Sequence, residues 1–265
     1  MGKIFGILII GFFTFLLGHD IQLISVDNKD GKITPKTIED EFKKAGFYIS
    51  DNRDMNTPFT KQFGQTDFKV YNLFTIHHIK SVQNLAKKYP RIGLFTPMSM
   101  SIYTKKGEDK LYVSSLTLDA MSKITGIPKD NIDLNNIAKM TKDTLLKAMP
   151  NGKFETLPYD VSASQKELIT QMHISLKGAD SKSDLESLIE EFEANIEMNG
   201  FKQAGFNNVN YYFKASGDNY FDTFVSESIC KLPVIYAVAK TRPEAGAFAP
   251  CSVSIYKKQS DNFMY

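Results

Sequence analysis

The feature that most constrains this chain is that it repeats itself. Residues 93–103 read Gly-Leu-Phe-Thr-Pro-Met-Ser-Met-Ser-Ile-Tyr, and residues 246–256 read Gly-Ala-Phe-Ala-Pro-Cys-Ser-Val-Ser-Ile-Tyr, an offset of 153 positions. The same offset pairs Pro90 with Pro243, Lys87 with Lys240, Ala86 with Ala239, His77 with Cys230 and Met98 with Cys251. Upstream, Gly46-Phe47 pairs with Gly200-Phe201 at an offset of 154, so one residue is inserted between. Duplication is the simplest account of such a block, and each copy must then build the same supersecondary unit.

The local signals follow one order in each copy. In the first, Ile21 to Val26 is β-prone, Thr34-Pro35 is a helix start, and Ile38, Phe42 and Ala45 recur at helical spacing before Gly46. A β-rich stretch spans 67–76, a helix 78–89, a strand 98–104 and its hairpin partner 110–116. Helices at 117–125 and 133–149 follow, and Pro150-Asn151-Gly152 opens a linker. In the second copy the spacing predicts a strand at 168–176 and a helix opened by a Ser183/Glu186 capping box. Strands at 209–214 and 220–225, a helix at 231–242 and a strand at 251–257 follow. Glu186, Glu190, Glu193 and Glu197 read as a solvated helix face. The order β-α-β-β-α-β-β predicts an α+β fold, an antiparallel sheet with helices on one face in each module. The expected organisation is 1–19 as signal peptide or N-terminal anchor, 20–150 as the first module, 151–165 as linker and 166–265 as a second module without its C-terminal helices. Apolar sheet surface is then expected to need a cover, from the 133–149 helix or from the first module.

The N-terminus has its own character. Lys3 precedes an uncharged run, 4–18, which fits a secretory h-region and is short for a spanning helix. Residue 19, where a lipoprotein would carry Cys, is His. The expectation is a periplasmic or otherwise exported protein, or one anchored to the inner membrane through residues 4–18. With 32 basic and 30 acidic residues, the chain has no electrostatic reason to take nucleic acid as a partner.

Two cysteines in an exported chain suggest a disulfide, and Cys230 and Cys251 are the candidate pair. Cys230 sits where strand becomes helix, which favours a thiolate, and Cys251 sits where the next strand begins. A structural bridge, a redox pair, a soft-metal pair and two unconnected core cysteines all remain open. The first copy offers His77 and Met98 at the same positions, beside His78 and Met100. Imidazole with thioether favours copper-like soft ions, while two methionines on one strand face also suit an ordinary core. If the two corners share one geometry, each pair should lie within about 4.4–6.8 Å, the span of a disulfide.

The stretch from Cys230 to Tyr256 resembles the domain of unknown function 302 family, through Cys230, Pro243, Gly246, Pro250, Cys251 and Tyr256. The first copy fits the same frame with His77 and Met98 in the Cys positions. Neither copy keeps the family's Asn-Pro after the first site, where Lys231-Leu232 and His78-Ile79 stand. The resemblance implies a small α+β sandwich of TATA-binding-protein-like or helix-grip shape, and no established activity.

Enzyme signatures are missing: no Gly-x-Ser-x-Gly elbow, phosphate loop, dinucleotide fingerprint or His-Glu-x-x-His occurs. The expected function is a non-enzymatic cell-envelope binding or assembly module for an unidentified small ligand or protein partner. The alternative is a thiol-redox or soft-metal protein using His77, Met98, Cys230 and Cys251. Cofactor identity and homo-oligomerisation stay open, and contact with the membrane is expected only through the N-terminal segment.

Overall fold

The computed structural model describes residues 20–159, 162–176 and 182–265. The segment read as signal peptide or anchor, 1–19, lies outside the described residues. Among the described residues, no helix is long and apolar enough to cross a membrane.

The chain begins β1 (Ile21–Asp27), α1 (Pro35–Lys44), β2 (Tyr48–Asp54), α2 (Asn56–Phe63), β3 (Phe68–His77) and α3 (Ile79–Ala86). A 3₁₀ segment (Pro90–Phe95) leads into β4 (Met98–Lys105), β5 (Lys110–Leu116), α4 (Leu118–Thr125) and α5 (Ile132–Ala148). Next come β6 (Lys153–Glu155), α6 (Gln165–Leu168), β7 (Ile174–Ser175), α7 (Lys182–Met198), β8 (Lys202–Asn208) and α8 (Val209–Lys214). The chain closes with β9 (Phe221–Cys230), α9 (Leu232–Thr241), a second 3₁₀ segment (Pro243–Phe248), β10 (Cys251–Lys258) and β11 (Phe263–Met264).

The result is a mixed α+β fold with antiparallel sheets. One sheet runs β2-β3-β4-β5-β1-β6, a second runs β10-β9-β8, and β11 pairs with β7. Short-range chemistry accounts for several boundaries. Thr34 caps α1 in a reciprocal box with Thr37, with Pro35 next to the cap. Asn131 caps α5 through the Leu134 N–H, and Gly126 closes α4 in the left-handed conformation. Phe42 of α1 meets Phe74 of β3 edge-on at 5.4 Å, in a core where both rings are fully buried.

The register of β2-β3-β4 recurs in β8-β9-β10. Tyr48 lies opposite His77 and Ile76 opposite Met98. Lys202 lies opposite Cys230 and Ile229 opposite Cys251. Each edge strand carries an irregularity at the same point, between Ile49 and Asp51 in β2 and between Gln203 and Gly205 in β8.

Five expectations need correction. Residues 209–214 form helix α8, not a strand. Asn208 accepts the Tyr211 N–H and caps it, and Val209, Asn210 and Phe213 are buried, so packing overrides the β-propensity of Tyr211-Tyr212-Phe213. The strand expected over 168–176 is only Ile174–Ser175, because Gln165–Leu168 is helical. Helix α7 starts at Lys182, one residue ahead of the expected cap at Ser183. Within 151–165, Lys153–Glu155 is a strand paired to β1, with Ile24 opposite Phe154. Helix α5 does not cover the second sheet. It packs on α1, α3 and α4 instead.

Candidate functional site

The two sheets meet through an exchange of their 3₁₀ segments. Pro90–Phe95 packs on β9 and β10, and Pro243–Phe248 packs on β4, β5 and β1. The approach is close enough to require glycine. A Cβ on Gly246 would stand 2.5 Å from the Ser101 Cβ and 3.1 Å from Leu73 Cδ2. On Gly93 it would collide with Ser254 Oγ and lie 2.5 Å from Phe224 Cε2. Hydroxyls fasten both segments. Ser101 Oγ and Tyr71 OH donate to the Pro243 carbonyl at 2.9 and 3.2 Å, and Ser226 Oγ donates to the Gly93 carbonyl at 2.7 Å. At the edges, Arg53 donates to the Ala204 carbonyl at 3.2 Å, and Asn207 donates to the Thr96 carbonyl at 3.1 Å. The peptide bonds Thr96–Pro97 and Ala249–Pro250, at equivalent positions, are both cis.

Two clefts open along this junction. The smaller, ≈ 110 Å³, is lined by the Asp51–Arg53 ion pair (2.7 Å), Thr75, Ser228 and Cys230 among others. The larger, ≈ 320 Å³, has among its lining residues Phe95 and Phe248, Met98 and Cys251, and Ser99 and Ser252. Each of these is a pair at the 153-residue offset. The larger cleft is mostly apolar, with a few hydroxyl groups and one exposed thiol, the usual make-up of a small-ligand site.

The four residues singled out from sequence are therefore sorted differently from the expectation. Both cysteines are free. Cys251 faces Ile229 across the ladder, and Cys230 is the next residue along β9, so the two side chains leave opposite faces of the sheet. Their Cβ vectors diverge, which excludes a bridge whatever the Cα spacing. The same holds for His77 and Met98, because Met98 faces Ile76. Met98 and Cys251 instead line the same cleft, the larger one at the junction.

His77 is committed elsewhere. Its Nε2 lies 2.8 Å from the Tyr212 hydroxyl and its Nδ1 3.3 Å from Ser50 Oγ, while its ring packs at 4.8 Å from Tyr48. Burial, and secondarily the neighbouring His78, lowers its pKa to about 4, so the ring is neutral at pH 7. With both nitrogens engaged, it joins α8 to the first sheet rather than presenting a lone pair. His78 caps α3 through the Ser81 N–H. Met100 is fully buried. Cys230 is not an activated thiolate: burial raises its pKa, and the Arg53 charge offsets this only in part. Among the described residues, no three His, Cys, Asp or Glu side chains gather as a metal set.

Sequence reasoning missed the junction itself. The available signal was the Gly in each repeated block, which reads as a point of close backbone approach.

Together these features define an α+β protein whose antiparallel sheets meet around small-residue contacts. No family model matches the chain, and no curated protein matches it. Among solved structures it is similar to the uncharacterized conserved protein DUF302 from Bacillus stearothermophilus, at 14% identity and a TM-score of 0.40, over 48% of this chain and 97% of that one.

Proposed function

We propose that this chain is a tandem pair of domain-of-unknown-function-302-type modules, roughly 20–150 and 166–265, joined by 151–165 and acting as a non-enzymatic binding or assembly module of the cell envelope. The matched registers and bulges and the reciprocal 3₁₀ contacts support the duplication. Lys3 ahead of the uncharged 4–18 run supports export or anchoring. The observation that carries the binding reading is the larger cleft, where three offset-related residue pairs converge on ≈ 320 Å³ of mostly apolar space. Its ligand is a compact apolar molecule with one or two hydrogen-bonding groups, met by Ser99 and Ser252. The test is a fragment titration followed at the methyl group of Met98 in methyl-labelled protein. Saturable shifts should appear, and should vanish in Ser252→Phe, which fills the cleft. A Met98 methyl that no fragment moves removes the reading.

Met98 and Cys251 in the lining of one cleft support a second reading, a thiol–thioether site for a soft monovalent metal such as copper(I). Competition titration with copper(I) should then show binding weakened in both Cys251→Ser and Met98→Leu and unchanged in His77→Gln. Equal binding in all three variants rules it out.

A further inference from the structure

The second sheet is open at the place where β5 runs through the first. In the first sheet β5 lies between β4 and β1. Tyr103, Ile102 and Ser101 face Tyr112, Val113 and Ser114 on one side. On the other, Asp27 and Val26 face Lys110 and Leu111, and the pairing runs on to Ile21 opposite Leu116. The second sheet repeats the start of this arrangement. Ser175 and Ile174 face Phe263 and Met264, and Tyr265 exchanges two backbone hydrogen bonds with Tyr256 of β10. Phe263, Met264, Tyr265 and Tyr256 stand 153 positions after Lys110, Leu111, Tyr112 and Tyr103. Beyond these residues the two flanks have no strand between them. Among the described residues, Cys251–Ser254 of β10 pair only with β9, and 169–173 pair with no strand.

Burial follows the same division. Met98, Ser99, Met100 and Ser101 of β4 are all buried, whereas Cys251 is exposed and Ser252, Val253 and Ser254 are half-buried. Leu23, Ile24 and Ser25 of β1 are buried, whereas Gln171, Met172 and His173 are exposed. The larger cleft is lined from both flanks, by Ile169 and Thr170 and by Cys251 and Ser252. Ser254 marks where a strand would bond. Backbone groups alternate sides along a strand, so Ser254, two residues from Tyr256, aims its N–H and C=O away from β9 and toward the opening. Its Oγ is buried without a hydrogen-bond partner. The counterpart hydroxyl, Ser101 Oγ, lies 2.7 Å from Ser114 Oγ on β5. A buried hydroxyl left unpaired is unfavourable, and a strand laid in the opening would pair it.

We infer that this opening takes an extended peptide segment of a partner protein, laid antiparallel to β10 with a Ser or Thr opposite Ser254. The segment adds a strand to the free edge, as β5 does in the first sheet, and matches the pattern Val113-Ser114-Ser115-Leu116. The inference rests on the reading of this chain as a binding or assembly module and gives the class of its partner. It depends on the backbone edge of β10, whereas the small-ligand reading depends on the apolar interior of the cleft, so either can fail alone.

The probe is a capped peptide of residues 113–117, Val-Ser-Ser-Leu-Thr, titrated into the full chain and followed by amide exchange and chemical shifts in isotope-labelled protein. In the free protein the Ser254 amide should exchange fast and the Ser101 amide slowly. Saturating peptide should slow exchange at Ser254 about tenfold or more and shift the amides of 169–173. N-methylation of the first peptide serine removes the N–H that faces β10 and should abolish the protection. Alanine at that serine should weaken binding to the wild type but not to Ser254→Ala, because the hydroxyl pair is then already gone. Four outcomes overturn the proposal. One is no saturable protection of Ser254, even where fragments still move the Met98 methyl. Another is slow exchange at Ser254 before any peptide is added, meaning that the edge is already covered. A third is shifts confined to β4 and β1, meaning displacement of the resident β5. The last is protection of Ser254 that grows with protein concentration alone, meaning that a second copy takes the edge.

Discussion

Tyr256 stacks on Tyr265 with ring centroids 5.0 Å apart and planes 12° from parallel, and their backbones exchange two hydrogen bonds of 3.0 Å. At the same offset, Tyr103 stacks on Tyr112 at 5.1 Å and 12°, as ladder partners in β4 and β5. The two ring pairs, 153 positions apart, thus have nearly the same stacking geometry. A pair of facing aromatics fixes register on a sheet, since a one-residue slip would send one ring to the other face.

Substituting the junction glycines tests how closely the halves are fitted. Gly246→Ala puts a methyl 2.5 Å from the Ser101 Cβ, an atom that moves only with its strand. The expected cost is about 1–3 kcal/mol, read as a lower denaturant midpoint, and Gly93→Ala should behave alike. Gly205→Ala is the control, because its new methyl would meet Ser228 at an ordinary 3.7 Å. Equal stability of Gly246→Ala and Gly205→Ala would contradict the close contact.

The thiols give a direct count. Two free thiols per chain are expected under denaturing, non-reducing conditions. In the folded protein Cys251, which is exposed, should react first with a disulfide reagent. Cys230 should lag, since it is half-buried and burial holds its thiol protonated. An intramolecular bridge found by peptide mapping would refute the opposed-face geometry.

Much of this fold was legible because it rests on local signals repeated at one offset. The hairpin strand expected at 110–116 is β5 with those bounds, and Thr34-Pro35 opens α1 as expected. Helix α8 was not, because Tyr211-Tyr212-Phe213 looks like a strand and only burial of Phe213 against β9 decides otherwise. A cue existed: Asn56, the first residue of α2, stands 153 positions before Val209, the first of α8. The pairing of the site residues was not legible either. A spacing of 21 between Cys230 and Cys251 says nothing about sheet faces, which depend on register against Ile229. That Met98 and Cys251 line one cleft depends on how the two sheets dock, a long-range property that no window of sequence contains.

His77 should make the protein acid-sensitive. Its pKa is lowered to about 4 in the folded state from an ordinary 6.5, chiefly by burial. Between those values the unfolded chain binds a proton that the folded chain does not. This contribution is therefore fully present above pH 6.5 and is lost as pH falls toward 4. The shift corresponds to about 3 kcal/mol. The check is the difference between wild type and His77→Gln in unfolding free energy across pH 4–7. It should change steadily over that window, with the wild type losing more stability on acidification, and a pH-independent difference would show that His77 is not the cause.

Glu227 makes the opposite prediction on the second sheet. It lies on β9 where the first sheet has Phe74, is 1% exposed, and leaves Oε1 without a hydrogen-bond partner. Its other oxygen accepts from Gln203 Nε2 at 3.2 Å. Burial raises its pKa, and Gln203 offsets this only in part. A carboxyl raised in the folded state is protonated there while the unfolded one has ionised. Its contribution is thus present below the ordinary value of 4.5 and is lost as pH rises through the folded pKa. Once ionised, the half-satisfied group works against folding. Glu227→Leu, which suits the apolar face shared with Val253, Leu185 and Ile189, should therefore stabilise the chain at pH 7. The gain should be about 1–3 kcal/mol and should shrink at pH 4. Glu227→Gln keeps the polar burden without the charge and should fall between. A loss of stability in Glu227→Leu at neutral pH would mean that this carboxylate holds an interaction worth more than its burial costs.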